Sequence, residues 1–208
     1  MNDTLKKNLA ASEEESTQIS AARKEVLEPL VAYILDLQQS NEMVKLNFIC
    51  THNSRRSHIA QLLAAAASLQ ADLENIECYS GGTEVTQIHP NAKLALETFG
   101  FHFSGEELGE NPHYLINLGE ANMIEIFSKR YDDDTNPATG FAAVMVCSAA
   151  SEACPFVPGA GKRFSITYED PKEFDNDANP IDGYMGRIQQ IAREMTYVMS
   201  QVSSRLNA

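Results

Sequence analysis

Eight consecutive residues, Cys50-Thr51-His52-Asn53-Ser54-Arg55-Arg56-Ser57, put a nucleophile, an anion-gripping cation and a hydroxyl into one short loop. The stretch before them, Val44 to Cys50 (VKLNFIC), is short, β-branched and aromatic, and reads as a buried strand. Ser57 opens a helix through HIAQLLAAAASLQADL. A strand that ends on a cysteine and turns at once into a helix builds an oxyanion receptor around that sulfur. The backbone N–H groups of such a loop converge on one point, and the helix dipole adds positive potential there. The same field stabilises negative charge on the Cys50 sulfur. Arg56 can hold two oxygens of a tetrahedral anion in a bidentate grip, a task lysine does poorly. Ser57 can donate its hydroxyl to the thiolate, and Asn53 can brace the loop from inside. The expected oxyanion-binding set is Thr51, His52, Asn53, Ser54, Arg55, Arg56 and Ser57. Within it Arg55 is expected on the outer, solvated side, and His52 and His58 are expected at the surface. The spacing Cys-x5-Arg fixes only two residues and would be weak alone; the strand, the trailing serine and the helix strengthen it. The competing structural reading is a buried strand-end cysteine beside a capped helix.

The elements that must position this loop are legible along the rest of the chain. Ile76 to Ser80 reads as a second strand ending at Gly81-Gly82, and His89-Pro90 starts a helix through Leu96 that Gly100 stops. Tyr114 to Leu118 and Met123 to Phe127 read as strands separated by Gly119, and Tyr131 to Gly140 as a turn-rich connection. Phe141 to Val146 (FAAVMV) has strand length, and Arg163 to Tyr168 (RFSITY) alternates like a strand. Tyr184, Ile188, Ile191, Met195, Val198 and Val202 follow a spacing of four, three, four, three, four, an amphipathic helix with methionines as core filler. Upstream, Ser12 to Thr17 is polar and acidic and is expected to fray. Ile19 to Gln39 carries a helical stripe of Val26, Leu30, Ile34 and Leu37, interrupted by Pro29. Strands alternating with helices point to a parallel α/β sheet wrapped on both sides.

Composition narrows the function. The chain has 208 residues, 43% hydrophobic and 22% charged, which fits one globular domain with an appendage rather than a disordered or fibrous protein. Sixteen basic against 29 acidic residues give a formal charge of −13, the wrong sign for gripping nucleic acid broadly. No apolar run reaches the length that spans a bilayer, and the polar first residues hold no hydrophobic signal segment, so a cytoplasmic protein without membrane partners is expected. Four cysteines are too few for a disulfide scaffold in a chain of this length; in a reducing compartment they are thiols, some of them chemical.

The run VKLNFICTHNSRRSHIAQ resembles the nucleophile loop of the low-molecular-weight tyrosine phosphatase superfamily. That superfamily also contains thioredoxin-coupled arsenate reductases. The resemblance continues through CYSGGTE, IHPNAKLALETFGF, VMVCSAASEACPFVPG and YEDPKEF, and covers roughly residues 43–205 apart from 105–140. It implies an α/β three-layer sandwich with a four-stranded parallel sheet. On that reading residues 1–42 form an N-terminal helical extension and 43–208 the catalytic domain. By resemblance Asp170, in the Asp-Pro turn Asp170-Pro171, is the general acid that supplies a proton to the departing oxygen. Glu169 and the Asp132-Asp133-Asp134 run read as solvated carboxylates.

Cys147 and Cys154, seven residues apart with Pro155 following, distinguish the subfamilies. The reductases have two cysteines at this separation, which the phosphatases do not use. The resemblance therefore implies that Cys50 attacks arsenate, Cys147 attacks the Cys50 sulfur to expel arsenite, and Cys154 moves the disulfide to where thioredoxin reduces it. A zinc site is disfavoured, because the spacing is not Cys-x-x-Cys and no fourth ligand is evident. Cys78, within a strand, is structural. No bound cofactor is expected. Gln61 stands where the compact reductases tend to place a Glu associated with a potassium site. Lys172, Glu173 and Phe174 follow the Asp-Pro turn where many phosphatases of this kind set aromatic residues, which favours a small inorganic anion. Two alternatives stand beside arsenate reduction. One is hydrolysis of phosphotyrosine or small phosphate esters through a phospho-cysteine; the other is a non-catalytic anion binder or thiol redox sensor.

Overall fold

The computed structural model describes residues 1–105, 108–119, 122–153 and 156–208. Its centre is a four-stranded, all-parallel sheet built from β1 (Val44–Cys50), β2 (Ile76–Gly82), β6 (Phe141–Met145) and β7 (Ala160–Ser165), in the order β2-β1-β6-β7. Strand β1 is central, and apart from half-buried Lys45 its residues are buried, as a parallel strand covered on both faces must be. Cys50 is aligned with Gly82 of β2, so the nucleophile stands at the carboxyl end of a central strand. In open α/β sheets that is where ligands bind.

Helices flank the sheet: α1 (Asp3–Glu14), α2 (Ala21–Gln39), α3 (Arg56–Gln70), α4 (Pro90–Phe99), α5 (Ser148–Ala153) and α6 (Pro180–Leu206). Helix α6 packs against α1, α2, α3 and α4, and all six residues of its stripe from Tyr184 to Val202 are buried. Helix α4 ends at Gly100, whose φ of +116° is the left-handed conformation that makes glycine the preferred stop. A second, antiparallel sheet occupies the middle of the chain: β3 (Phe103–Ser104), β4 (Tyr114–Asn117) and β5 (Met123–Ile126), with Tyr114 opposite Ile126. Among the described residues no helix is long and apolar enough to cross a membrane.

Three expectations need correction. Residues 12–17 do not fray: α1 runs to Glu14, a 3-10 turn covers Glu15–Gln18, and Ser12 is buried with Leu5 and Leu9. Two leucines one turn apart suffice to dock this helix, and Asn2 caps it by accepting from Leu5 N at 2.9 Å. Pro29 does not interrupt α2, because its ring lies on the exposed face while Leu27, Leu30, Val31 and Ile34 bury the other. The last strand begins at Ala160 rather than Arg163, since Gly161 and Lys162 hide its start. Beyond it, Ile166 N and Tyr168 N still donate to Met145 and Val146 carbonyls, so the chain runs on beside the end of β6.

Gly81 and Gly82 close β2 without side chains for a steric reason. A Cβ on Gly82 would lie 2.7 Å from both Asn53 N and Thr51 O and 2.6 Å from Glu84 O. On Gly81 it would run into the Tyr131 backbone. The loop after β1 and the segment 129–131 both close onto this glycine pair, with Gly82 N donating to Lys129 O and Tyr131 N to Gly82 O. Gly82→Ala is expected to lower stability by about 2–3 kcal/mol, the scale of an overpacked site, seen as a lower urea midpoint with the m-value unchanged. An unchanged midpoint would mean that the loop yields freely.

Candidate active site

The loop from Cys50 to Arg55 is held by its carbonyls. Cys50 O accepts from Thr83 N (3.2 Å) and Thr51 O from Glu84 N (2.8 Å). His52 O accepts from the hydroxyls of Thr86 (3.0 Å) and Ser128 (3.1 Å), and Asn53 O from His58 Nε2 (2.8 Å). Ser54 O accepts from His89 N (2.9 Å) and Arg55 O from Ile59 N (3.1 Å). A trans peptide points its N–H opposite its C=O, and none of the described peptides is cis. With six successive carbonyls anchored in the surrounding structure, the following N–H groups are turned toward the loop's centre, the geometry of an anion nest at a helix N-terminus. Asn53 adopts a φ of +44°, the left-handed turn such a nest requires and one that Asn tolerates.

Beneath the loop the side chains form a chain of hydrogen bonds. Lys129 N donates to Asn53 Oδ1 (2.8 Å), Asn53 Nδ2 donates to Ser57 Oγ (2.8 Å) and Ser80 Oγ (3.1 Å), and Ser57 Oγ lies 3.1 Å from Cys50 Sγ. Asn53 braces the loop from within, and Ser57 is placed to donate to a thiolate on Cys50. His58, expected at the surface, is fully buried: Nε2 serves the Asn53 carbonyl, and Nδ1 lies 3.2 Å from Ser80 Oγ. Burial, with the nearby Lys129 charge, pushes its pKa down to about 3, so the ring is neutral.

Above the sulfur lies a pocket of about 10 Å³ lined by Cys50, Thr51, His52, Ser54, Arg55, Arg56 and Asp170. The sequence-predicted set is thereby brought together, with Asn53 and Ser57 underneath. Arg56 Nη1 donates to Tyr168 O at 2.9 Å, and Nη2 pairs with Asp170 Oδ2 in a short contact. Asp170 also caps the 3-10 turn Pro171–Phe174 by accepting from Lys172 N. Tyr168 is in turn fixed from the N-terminal extension. Arg23 of α2 sits 5.0 Å from the centre of its ring and makes a bidentate ion pair with buried Glu194 of α6, at 2.9 and 2.8 Å. The buried Tyr168 phenol is held well above its ordinary pKa by desolvation.

Arg55 is not solvated. Its Nε donates to Tyr184 Oη (2.7 Å) and its Nη2 to Asp175 Oδ2 (2.6 Å), while Tyr184 Oη donates to Asp175 Oδ1 (2.5 Å) and His89 Nε2 lies 3.7 Å from Asp175. Burial works against the Asp175 charge, but Tyr184, Arg55 and His89 together hold its carboxyl below the usual range. This cluster had no signal in the sequence because its members come from four separate segments. His52 is half exposed and faces Glu84 at 3.5 Å.

Cys147 is fully buried at the end of β6, with its Sγ 3.6 Å from Thr51 Oγ1. It accepts from Ala150 N at 3.3 Å and so caps α5. The second thiol thus stands beside the first residue of the anion loop. Cys154 lies outside the described residues. Cys78 is buried, and desolvation pushes its thiol up to about 12, in keeping with a structural role. At Gln61 the amide supplies no negative charge to a cation: its Nε2 donates to Cys78 O at 3.0 Å, and its Oε1 has no hydrogen-bond partner.

His58 gives the site a pH signature. An unfolded histidine titrates near 6.5, whereas the folded one stays neutral until about pH 3. Its contribution is therefore complete above pH 6.5 and is lost as pH falls toward 3. Stability is expected to drop by about 2 kcal/mol between pH 6.5 and 5.0, at ~1.4 kcal/mol per pH unit. Urea melts of wild type and His58→Gln check this; an equal slope in both would remove His58 as the cause.

Three comparisons bear on this geometry. The sequence model of low molecular weight phosphotyrosine protein phosphatases matches residues 45–129. No protein of curated function matches the sequence. Among solved structures, a low molecular weight phosphotyrosine phosphatase from Vibrio cholerae is 14% identical, with 79% of this chain and 99% of that chain covered at a TM-score of 0.50. A YwlE mutant from Bacillus subtilis is 18% identical, with 79% and 99% covered at 0.46. A thioredoxin-dependent arsenate reductase from Corynebacterium glutamicum is 18% identical, with 96% and 85% covered at 0.41. At these identities the likeness speaks to the fold alone. Residues 45–129, which carry the loop after β1, thus match the low molecular weight phosphotyrosine protein phosphatase model, and the four-stranded parallel sheet around them is the fold of the Vibrio cholerae enzyme.

Proposed function

We propose that the chain is a thioredoxin-dependent arsenate reductase. The observation that carries this reading is the buried Cys147 thiol, 3.6 Å from the Thr51 hydroxyl at the start of the loop that holds Cys50. A phosphatase has no task for a thiol there. Among the described residues the pocket lining contains no Phe, Tyr or Trp, which favours a small inorganic anion over an aryl ester.

Arsenate enters the nest and takes the Arg56 guanidinium from Asp170. The Asp170 carboxyl, released from Arg56, is then the general acid that supplies a proton to the leaving oxygen. The Cys50 thiolate, steadied by Ser57, attacks arsenic. A sulfur–arsenic bond forms, an arsenic–oxygen bond breaks, and Asp170 gives its proton to the leaving oxygen, which departs as water. The Cys147 thiolate then attacks the Cys50 sulfur. The electron pair of the sulfur–arsenic bond stays on arsenic, which leaves as arsenite, reduced from As(V) to As(III), and a Cys50–Cys147 disulfide remains. Cys154 attacks the Cys147 sulfur, releasing the Cys50 thiolate and leaving a Cys147–Cys154 disulfide, which the thioredoxin dithiol reduces.

The second reading, hydrolysis of a phosphate monoester through a phospho-cysteine, needs only Cys50, Arg56, Ser57 and Asp170, and the match of residues 45–129 to the phosphatase model favours it. Arsenate-dependent NADPH oxidation with thioredoxin and thioredoxin reductase separates the two. Wild type is expected to turn over continuously, Cys154→Ser to release a single equivalent of arsenite, and Cys147→Ser to release none. Multiple turnover in Cys154→Ser would refute the relay. Phosphatase activity that survives both substitutions, without arsenate reduction in wild type, would establish the second reading.

A further inference from the structure

Away from the anion loop, a cavity of about 740 Å³ opens between the free edge of β2, the flank of α3 and strand β5. This is within the range of small-molecule sites, which are mostly apolar and carry a few convergent polar groups. Leu69, Leu73, Ile76, Leu118, Met123 and Phe127 supply the apolar wall. Two buried polar side chains on the lining are incompletely satisfied among the described residues. Lys129 is 5% exposed, with its Nζ 4.5 Å from the centre of the Phe127 ring, and among the described residues no carboxylate lies within 4 Å of it. Gln61 is 2% exposed; its Nε2 is spent on Cys78 O, and its Oε1 has no hydrogen-bond partner.

A buried cation on which the nearest carboxylates, Asp133 and Glu125, act only from beyond 4 Å, and a buried acceptor without a donor, are both costly unless something completes them. We infer that this cavity is a second ligand site, for a small apolar-bodied organic monoanion, a carboxylate or sulfonate, whose charge pairs with Lys129 and whose N–H or O–H donates to Gln61 Oε1. Burial holds the Lys129 ammonium below its ordinary pKa, a penalty that a bound anion relieves. Glu74, Glu77 and Glu125 also line the cavity and oppose any anion, a polyanion such as a nucleotide most strongly, so the occupant's single charge has to sit at Lys129. The site communicates with the nucleophile, since the backbone of Lys129 begins the three-bond chain through Asn53 and Ser57 to Cys50.

The probe is 8-anilinonaphthalene-1-sulfonate, a monoanion with an apolar body and one N–H donor, titrated into the full chain by fluorescence. Saturable one-to-one binding is expected, weakened at least tenfold in Lys129→Met and unchanged in Lys162→Met, which removes an exposed charge from β7. In wild type, the probe is expected to protect Lys129 but not Lys162 from acetylation by acetic anhydride, read by mass spectrometry. Wild-type affinity in Lys129→Met would overturn the assignment. If that variant does not fold, equal acetylation of Lys129 with and without the probe would overturn it instead.

Discussion

The site rests on one backbone constraint: six consecutive carbonyls, from Cys50 to Arg55, each accept a hydrogen bond from the surrounding structure. Because peptide planes are rigid, fixing the carbonyls fixes the N–H directions, and the loop has no freedom to turn its amides elsewhere. The donors that hold it come from distant places: the Thr83–Thr86 segment after β2, Ser128, His89 at the head of α4, and His58 and Ile59 inside α3. An anion nest made in this way is pre-organised by the fold. It does not depend on the anion for its shape, which is the condition for electrostatic stabilisation without reorganisation at the moment of reaction.

The N-terminal extension takes part in the same arrangement. Arg23, from a helix outside the sheet, ties α2 to α6 through Glu194 and lies over the Tyr168 ring, while the Tyr168 carbonyl holds Arg56. Breaking a buried ion pair of this kind leaves an uncompensated charge in the interior. The extension is thus bonded to the residue that positions the anion-gripping arginine.

The strand, loop and helix around Cys50 were legible because their signals are local: a seven-residue apolar run, a polar loop and a serine at the helix start. The α6 stripe was legible from its period, and the two short strands on either side of Gly119 from the glycine between them; their antiparallel pairing was not. What was missed depended on long-range partners. His58 sits in α3, whose residues from Ser57 to Ser68 are all buried, so there was no polar face to assign it to. Arg55 reads as solvated until Asp175 and Tyr184, more than a hundred residues away, are folded against it. Helix α1 carries only Leu5 and Leu9 as anchors, too thin a pattern against its lysines and glutamates. The start of β7 is masked by a glycine and a lysine at a sheet edge.

The pairing of Arg56 with Asp170 changes what ionic strength does to this protein. On the proposed reading, an oxyanion entering the loop does not add a new ion pair; it exchanges with a carboxylate already there. Salt screens the old pair and the new one alike, so the exchange itself is nearly indifferent to it. The approach is different: a chain of formal charge −13 repels a dianion at long range, and salt shortens that reach to about 10 Å or less. Added salt therefore eases the approach of the dianion, and through it binding, while the local exchange at Arg56 changes little.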